Sequence, residues 1–482
     1  MAAQGWQLSL APRLGHRAAL VPAIGLISLL QSCSSAGQLV GQPPPDLPLP
    51  EGITVAFNHR ADRHYTSPIS GQRRSGDNLE ALLLAAIDAA RSEVLVAVQE
   101  LSLPAVAQAL AEQHRRGLRV QVVLENSYSQ PWSLLHDAEL NPHLRKRRQQ
   151  LLALADRNGD GQLSAAEQQA GDAVAILQRA GVPLLDDTAD GSKGSGLMHS
   201  KYLVIDRQRV ITGSANFTPS GIHGDPDDPR TRGNVNHLLT LESAALAELF
   251  AADFSLMWGD GPGGRNDSRF GIAKQSGPAA SVLVGATPVQ VLFAPHRRND
   301  PHQGLALIGE QLAAARERVD LALFVFSAQS LTDVIAQLHQ RGVALRLLAD
   351  PGFASRSFSE VLDLLGVALA DRHCKLEAGN KPLAQAADGV GIPRLPAGDK
   401  LHHKLAVIDN RTVITGSFNW SPSAAHQNDE VLLVIDSPLL AAHFTREIDR
   451  LWKGAELGVS DRLERKLNEN RRRCGSGVQR AA

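Results

Sequence analysis

The chain has 482 residues, of which 43% are hydrophobic and 21% are charged. This composition is typical of a globular protein and excludes a disordered chain or a polytopic membrane protein. Lys and Arg total 49 against 50 Asp and Glu, so the formal net charge of −1 excludes a strongly basic polyanion-binding protein, although not a local basic groove. Three cysteines are too few for a disulfide-rich scaffold.

The N-terminus has the organisation of a secretory signal peptide over residues 1–32. Two positive charges precede an apolar run at 18–31, which is too short to span a bilayer comfortably. The run ends in Leu-Gln-Ser followed by Cys33, which resembles the lipobox of bacterial lipoproteins. That resemblance implies an extracytoplasmic lipoprotein anchored to a membrane through lipidated Cys33, with a secreted or periplasmic protein as the alternative. Residues 33–52 contain five prolines and predict an extended tether.

The chain contains an internal repeat. Residues 94–126 and 319–351 each read as an apolar strand, an amphipathic helix, a glycine and a second apolar strand. Each is therefore predicted to be a βαβ unit, in which a crossover helix joins parallel strands. A second pair of matching segments follows, MHSKYLVIDRQRVITGSANFT at 198–218 and HHKLAVIDNRTVITGSFNWS at 402–421.

The second pair carries a chemical signature, H-x-K-x4-D-x6-G-S-x-N, which is complete in both copies and resembles the phospholipase D superfamily. The signature residues are His199, Lys201, Asp206, Gly213, Ser214 and Asn216 in the first copy and His402, Lys404, Asp409, Gly416, Ser417 and Asn419 in the second. The resemblance implies an α/β fold of two similar halves, each a mixed β-sheet flanked by helices, related by a pseudo-two-fold axis with one shared active site. The expected boundaries are 53–258 for the first half, 259–286 for a connection, 287–456 for the second half and 457–482 for a basic tail. Because one chain carries both motifs, a monomer is expected.

In the first half, an insertion separates the βαβ unit from the H-x-K motif. The repeat glycines are 225 residues apart whereas the motif histidines are 203 apart, so the first half holds 22 additional residues. The segment at about 143–175 contains DRNGDGQLSAAE, which fits an EF-hand loop. Its expected calcium ligands are Asp156, Asn158, Asp160, the Gln162 carbonyl, Ser164 and Glu167, and a lone loop of this kind predicts a structural Ca²⁺ rather than a catalytic one.

The spacing of the motif residues predicts their chemistry. A histidine and a lysine two positions apart on a strand point to one face, so His402 and not His403 accompanies Lys404. Two histidines suit a two-step displacement through a phosphohistidine, and two lysines neutralise a phosphodiester without a catalytic cofactor. The family resemblance implies His199 as nucleophile and His402 as acid.

The remaining signature positions have supporting roles. Ser214, Asn216, Ser417 and Asn419 are expected to contact the phosphoryl group. Asp206 and Asp409 complete the catalytic signature, but their positions at strand ends favour tying down a turn. Glu430 is expected to orient a catalytic histidine, whereas its counterpart Asn236 cannot supply the charge.

The predicted substrate is a phospholipid at a membrane surface, because the anchor would place the site beside lipid and the charge balance lacks the excess of a nucleic-acid protein. The alternatives are an endonuclease of the same superfamily, for which nucleic acid would be the partner, and a calcium-stabilised binding module without activity. Cys374 and Cys474 are left as either a disulfide or two free thiols.

Overall fold

A computed structural model of the protein describes residues 46–192, 196–475 and 479–480. The expected signal peptide, Cys33 and most of the tether lie outside these residues. Within them, no helix combines the length and apolar character needed to cross a membrane.

The first half is a seven-stranded mixed sheet with helices on both faces and a small hairpin. Its strands are Ile53–Phe57 (β1), His64–Thr66 (β2), Arg73–Ser75 (β3), Glu93–Val98 (β4), Arg119–Leu124 (β5), Leu184–Asp186 (β6), Lys201–Ile205 (β7), Arg209–Gly213 (β8) and His237–Glu242 (β9). Its helices are Leu79–Asp88 (α1), Pro104–Arg115 (α2), Pro142–Ala155 (α3), Ala165–Gly171 (α4), Ala173–Arg179 (α5), Pro219–Ile222 (α6) and Ala244–Trp258 (α7).

The second half repeats this arrangement in a nine-stranded sheet. Its strands are Ala280–Val284 (β10), Thr287–Ala294 (β11), Arg318–Leu323 (β12), Ala344–Ala349 (β13), Lys375–Leu376 (β14), Val390–Ile392 (β15), Lys404–Ile408 (β16), Thr412–Gly416 (β17), Glu430–Asp436 (β18), Glu456–Leu457 (β19) and Gln479–Arg480 (β20). Its helices are Gly304–Ala313 (α8), Gln329–Gln340 (α9), Glu360–Leu364 (α10), Pro422–His426 (α11), Pro438–Trp452 (α12) and Asp461–Cys474 (α13).

The two sheets share one strand order. The first runs β1-β9-β8-β7-β4-β5-β6, and the second runs β11-β18-β17-β16-β12-β13-β15, with β10 and β19 added at its edges. The pairs β4–β5 and β12–β13 are parallel, as the βαβ prediction requires, whereas β7 and β16 run antiparallel to β4 and β12. The expected mixed α/β fold is confirmed.

The inner faces of the sheets meet in one apolar core that includes α7 and α12. Phe250 and Phe254 of α7 and Phe444 and Ile448 of α12 are buried there. Separate apolar clusters fill the outer faces, under α1, α2 and α5 in the first half and α8, α9 and α10 in the second. Each half therefore contributes one long helix to this shared core, α7 from the first half and α12 from the second.

The structure gives more detail on two of the expected segments, whose boundaries stay predictions. The segment 259–286, expected as a connection, contributes β10 and the buried Lys274, which pairs with Asp253 and Asp429 at 2.7 and 3.0 Å. The expected tail forms α13, which buries Leu463 and Leu467 in the second outer core and is joined by a Cys374–Cys474 disulfide. Leu463 and Leu467 lie four residues apart and therefore on one face of α13, so two leucines are enough to pack this charged segment against the core.

Candidate active site

The two H-x-K motifs begin equivalent strands, β7 and β16. Their lysines open these strands, and the histidines lie two residues earlier. His199 and His402 are 6% and 8% exposed, whereas Lys201 and Lys404 are fully enclosed at 0% and 1%. The histidines thus keep a small exposed fraction, and each buried lysine donates from Nζ to the backbone carbonyl of its own motif histidine, at 2.6 Å for Lys201 and 2.9 Å for Lys404.

Backbone hydrogen bonds between the halves bring the motifs together. His199 N donates to Asp429 O at 2.9 Å, and His402 N donates to Val235 O at 3.1 Å. Each contact places a motif histidine next to the start of the other half's strand, just before Glu430 or Asn236. Each half therefore supplies a backbone acceptor, and the side chain that follows it, to the motif histidine of the other half.

Glu430 of the second half holds His199 of the first. The Glu430 Oε2 atom accepts from His199 Nδ1 at 2.8 Å and from Ser417 Oγ at 2.6 Å, and Oε1 accepts from Asn428 Nδ2 at 3.2 Å. Since Nδ1 faces a carboxylate, it carries a proton, and Nε2 is left for chemistry. Glu430 thus contacts the histidine of the first motif, and its expected orienting role stays a prediction.

Asn236 of the first half holds His402 of the second. His402 Nδ1 lies 2.9 Å from Asn236 Oδ1 and 3.0 Å from the Ser214 carbonyl oxygen, both acceptors, so Nδ1 again carries the proton. Asn236 Oδ1 also accepts from Ser214 Oγ at 2.8 Å, and its amide donates to Gly221 O. The two histidines thus have matching geometry but different charge beside them.

The expectation that both serine hydroxyls contact phosphate is wrong. Ser214 Oγ and Ser417 Oγ are buried, donate to the orienting residues, and accept from the backbone N–H groups of His237 and Val431. They fix the orienting residues rather than a ligand. The preceding glycines allow this close packing, because a Cβ on Gly213 or Gly416 would lie 2.3 or 2.2 Å from a carbonyl oxygen of the neighbouring strand.

The motif asparagines, in contrast, retain unused hydrogen-bonding capacity. Asn216 donates to Gln99 Oε1 at 3.2 Å, and Gln99 Oε1 also accepts from Lys201 Nζ at 3.3 Å. The Oδ1 atoms of Asn216 and Asn419 are buried with no hydrogen-bond partner in the described part of the chain. Orphaned buried polar atoms of this kind are suited to a ligand or a water molecule.

Electrostatic influences cross between the halves at this site. Burial, above all, lowers the pKa of His199 to about 4, against the opposing effect of Glu430. Burial followed by the charges of Lys404 and Lys201 holds the His402 pKa well below its usual value. Burial lowers the Lys201 pKa to about 7, and burial and Lys201 lower that of Lys404. The lowered pKa values mean that positive charge on these side chains is disfavoured, and a bound anionic group would raise the values again.

Asp206 and Asp409 do not belong to the site. Each follows the far end of its five-residue strand, about 17 Å from the motif lysine at the usual rise per residue. With φ of 51° and 49°, they begin tight hairpin turns. Their carboxylates accept from backbone N–H groups at 91–93 and at 316–318, respectively. Expecting them to be catalytic is wrong, and the turn role is what the structure shows.

An aromatic residue that sequence reasoning missed lies against His402. The Phe324 ring centroid is 4.6 Å from that of His402, and Lys404 Nζ is 4.9 Å from the Phe324 centroid. By the repeat spacing, Phe324 corresponds to Gln99 of the first half. In the sequence, the phenylalanine was indistinguishable from a core residue of an apolar strand, and only the comparison of the repeats could have drawn attention to it.

Comparison with known proteins matches both halves. The sequence profile of the family described as "Cardiolipin synthase, PLD-like domain" matches residues 83–258 and 308–452, more than half of the chain. The chain belongs to this PLD-like family. It is 27% identical over 198 residues to a protein named mitochondrial cardiolipin hydrolase from Chlamydomonas reinhardtii, covering 37% of this chain and 79% of the relative. It is 29% identical over 134 residues to a phospholipase D from Rickettsia bellii, covering 28% of this chain and 56% of the relative.

A solved structure agrees on the fold of this PLD-like protein. The phosphatidylserine synthase of Haemophilus influenzae aligns with a TM-score of 0.50 and 13% identity, over 84% of this chain and 87% of the other. At that identity the likeness speaks for the fold alone.

The insertion of this PLD-like protein is a helix–loop–helix, with α3 and α4 on either side of the EF-hand-like loop. Asp156 accepts from Gly159 and Gly161 N–H, Asp160 from Gln162 N–H, and Gly161 has a φ of +77° at the sharp turn. In the described chain, no three carboxylate, His or Cys side chains are grouped to hold a metal. The carboxylates of the loop instead accept from N–H groups of the loop itself, and Glu167 accepts from Arg157 N and Ser164 N at 3.0 and 2.9 Å.

The insertion also contacts the surroundings of the site. Arg147 of α3 is buried and donates to Glu100 at 2.7 Å, to Ser102 Oγ at 2.6 Å and to Ser220 Oγ at 3.0 Å. The charge of Glu100 in turn acts to raise the pKa of Lys201, although burial outweighs it. The insertion is therefore part of the packing behind the first motif lysine.

Proposed function

We propose that this protein is a phosphodiesterase that hydrolyses phospholipids at one site shared by its two halves. The observation that carries this proposal is the pair of histidines, each held at Nδ1 by a residue of the opposite half, each without a hydrogen bond at Nε2 from the described residues, and each followed two positions later by a buried lysine. Such a pair supplies a nucleophile and an acid for one phosphodiester.

In the first step, the lone pair of His199 Nε2 attacks phosphorus, and a nitrogen–phosphorus bond forms. The bond from phosphorus to the departing alcohol oxygen breaks, and His402 gives that oxygen a proton from Nε2. In the second step, His402 accepts a proton from water, whose oxygen attacks phosphorus and releases His199. Glu430 fits His199 as the nucleophile, because it stabilises the positive charge that the ring acquires when it carries the phosphoryl group.

The protonation states follow from the substrate's charge. In the empty site both histidines have lowered pKa values, so at neutral pH both are neutral. An anionic phosphodiester between Lys201 and Lys404 raises the pKa of each nearby base, which favours charged lysines and one proton on the pair of histidines, and the mechanism places that proton on His402. Substrate binding thereby assembles the acid form that the first step requires.

A lipid substrate is supported by the names of two relatives, a cardiolipin hydrolase and a phospholipase D. The decisive assay follows release of the alcohol from a dispersed short-chain phospholipid by wild-type protein and by His199→Asn, His402→Asn and His114→Asn. We expect both motif variants to lose turnover and the α2 variant, whose histidine lies outside the site, to keep it. Substantial turnover by either motif variant would contradict the two-histidine mechanism. Cleavage of oligonucleotides but not lipid would assign the site to the nuclease alternative.

We further propose that the EF-hand-like loop binds Ca²⁺ and stabilises the insertion without taking part in the reaction. The support is the oxygen donor set of Asp156, Asn158, Asp160, Gln162, Ser164 and Glu167, and its place between two helices. Terbium luminescence, which reports binding directly, should appear in wild-type protein and disappear in Glu167→Gln, with Gln168→Glu as a neighbouring control. Equal signals in wild type and Glu167→Gln would refute the site.

The cellular location is also a proposal: the mature chain would be a monomer carried at a membrane by lipidated Cys33. Metabolic labelling with a fatty acid should mark wild-type protein and not Cys33→Ser, and sedimentation of the form that begins after Cys33 should give the monomer mass. Label retained by the serine variant would rule out this anchor.

A further inference from the structure

Three phenylalanines lead from His402 to the protein surface. The Phe324 ring lies 4.6 Å from His402 and 4.6 Å from the Phe353 ring, and Phe353 lies 6.4 Å from Phe358, centroid to centroid. Phe358 is 40% exposed, whereas Phe324 and Phe353 are partly buried. An aromatic path thus connects a motif histidine with solvent.

Among its described residues, the first half has no matching path. At the repeat spacing of 225 residues, Phe324 corresponds to Gln99 and Phe353 to Tyr128. Gln99 is hydrogen-bonded to Lys201 and Asn216, and Tyr128 lines a small cavity together with Trp132 and Arg147, beside the insertion helix α3. The apolar approach to the shared site therefore lies on the second half alone.

Cationic side chains border this path. Lys400 Nζ is 5.9 Å from the Phe324 centroid, and the Arg356 guanidinium is 6.0 Å from that of Phe353. Arg356 also lines an adjoining cleft of about 260 Å³, with Arg372, Lys466 and Arg473. Asp371 and Glu469 line it too, but Asp371 already accepts from two backbone N–H groups.

The cleft is held in a fixed shape. Lys466 of α13 donates to the carbonyl and hydroxyl of Ser355, and the Cys374–Cys474 disulfide joins the end of α13 to the chain after Arg372. Burial, and then Arg462 and Arg356, lower the pKa of Lys466, as expected where positive charges gather. The basic helix and the loop that carries Phe353 and Phe358 are therefore one surface.

We propose that this surface, formed by Phe358, Arg356, Arg372, Lys466 and Arg473, docks the protein on an anionic phospholipid bilayer. Phe358 enters the apolar layer, the cations contact lipid phosphates, and Phe353 and Phe324 line the way of a lipid to His402. The inference rests on the proposed phospholipid hydrolysis and names the surface through which the substrate arrives.

The ring geometry favours lipid over a nucleic acid. Phe324 and Phe353 meet at 66° and Phe353 and Phe358 at 53°, so the rings contact one another edge-on or at a tilt and are not arranged as a series of parallel faces. Stacking of successive bases needs free aromatic faces, whereas an acyl chain needs only apolar area.

The test is vesicle sedimentation in the His199→Asn background, which separates docking from hydrolysis. The parent should bind phosphatidylcholine vesicles that contain phosphatidylglycerol much more tightly than phosphatidylcholine alone, and binding should weaken with salt. Phe358→Ala with Arg356→Ala should weaken that binding by roughly 50-fold, given the usual contributions of a buried phenylalanine and one basic residue. Leu134→Ala, which removes a leucine that is 63% exposed in the first half, should bind like the parent.

A variant that gains a fluorescence signal on binding cannot be mistaken for one that has lost binding through misfolding. Phe358→Trp in the same background should show a blue shift of tryptophan emission on anionic vesicles, relative to the parent. Equal vesicle binding by the double variant, or no shift in the tryptophan variant, would overturn the proposal. So would single-stranded DNA binding that the double variant loses while vesicle binding persists. Hydrolysis of the dispersed short-chain lipid by wild-type protein is a separate result, so docking and activity can fail independently.

Discussion

Replacing Glu430 by glutamine removes one charge at the centre of the site while it keeps the shape of the side chain. The carboxylate is fully buried and accepts from His199, Ser417 and Asn428. His199 and Ser417 both donate to Oε2, so the glutamine can keep these two contacts through its oxygen and loses only the hydrogen bond from Asn428 Nδ2. The substitution therefore tests charge more than position.

The size of the effect follows from the change in charge on His199. The contact is between a neutral ring and a carboxylate in the free enzyme, and it becomes a contact between two charges when Nε2 binds phosphorus. A hydrogen bond to a charged group contributes about 1.5–3 kcal/mol, which corresponds to a roughly 10- to 150-fold change in rate. We expect the turnover number of Glu430→Gln on a phospholipid to fall by that factor.

The pH profile gives an independent readout with a defined sign. Glu430 acts to raise the His199 pKa, although burial outweighs it and leaves the value at about 4. Without the carboxylate the pKa falls further, so the neutral nucleophile persists to lower pH and the acidic limb of the profile moves to lower pH. Turnover should drop while the acidic limb shifts down.

Ser417→Ala is the matched control, since it removes one hydrogen bond from the same carboxylate oxygen and leaves the charge. We expect it to lose less than tenfold, in line with about 1 kcal/mol for a neutral hydrogen bond. Trapping the phosphohistidine with labelled lipid in alkaline quench would show whether its formation is the step that slows. Glu430→Gln within threefold of wild type, or Ser417→Ala as slow as Glu430→Gln, would refute the electrostatic reasoning.

Three further variants test other parts of the structure. Asn236→Asp places a carboxylate at His402 Nδ1, so the lowered pKa of His402 should rise. The alkaline limb of the kcat/KM profile should then move to higher pH, and an unmoved limb would show that His402 is not the acid. Asp206→Ala and Asp409→Ala should each lower the free energy of unfolding, measured with denaturant, by about 1–3 kcal/mol. Their kcat should stay within twofold of wild type, and a folded but inactive variant would restore a catalytic role. Cys474→Ser opens a link across 100 residues, for which chain entropy sets an upper value of about 4–5 kcal/mol, so an unchanged unfolding midpoint would mean that the disulfide does not stabilise α13.

The parts of this protein that were predictable from sequence are those with local periodicity. Alternation along β7 and β16 placed each histidine and lysine on one face, and the strand–helix–glycine–strand pattern gave the parallel pairs. The pairing of His199 with Glu430 joins residues 231 apart and depends on how the halves meet, which no local pattern encodes. The direction of the serine hydroxyls was missed for the same reason. In the sequence they looked like ligands of phosphate, and only the packing of the two strands shows what they hold.

A site with two-fold symmetry would present the same histidine twice to one phosphorus atom, yet the reaction needs one base and one acid. This protein breaks the symmetry with two differences between its halves. Glu430 gives His199 a negative partner where Asn236 gives His402 a neutral one, and Phe324 sets an apolar ring beside His402 where Gln99 sets an amide in the first half. The first difference favours a positive charge on His199 over one on His402, whereas an anion between the lysines would favour a proton on either ring. In the proposed mechanism His199 is the nucleophile and His402 is the acid, and the residues beside the two histidines distinguish these roles, because the motifs themselves are the same.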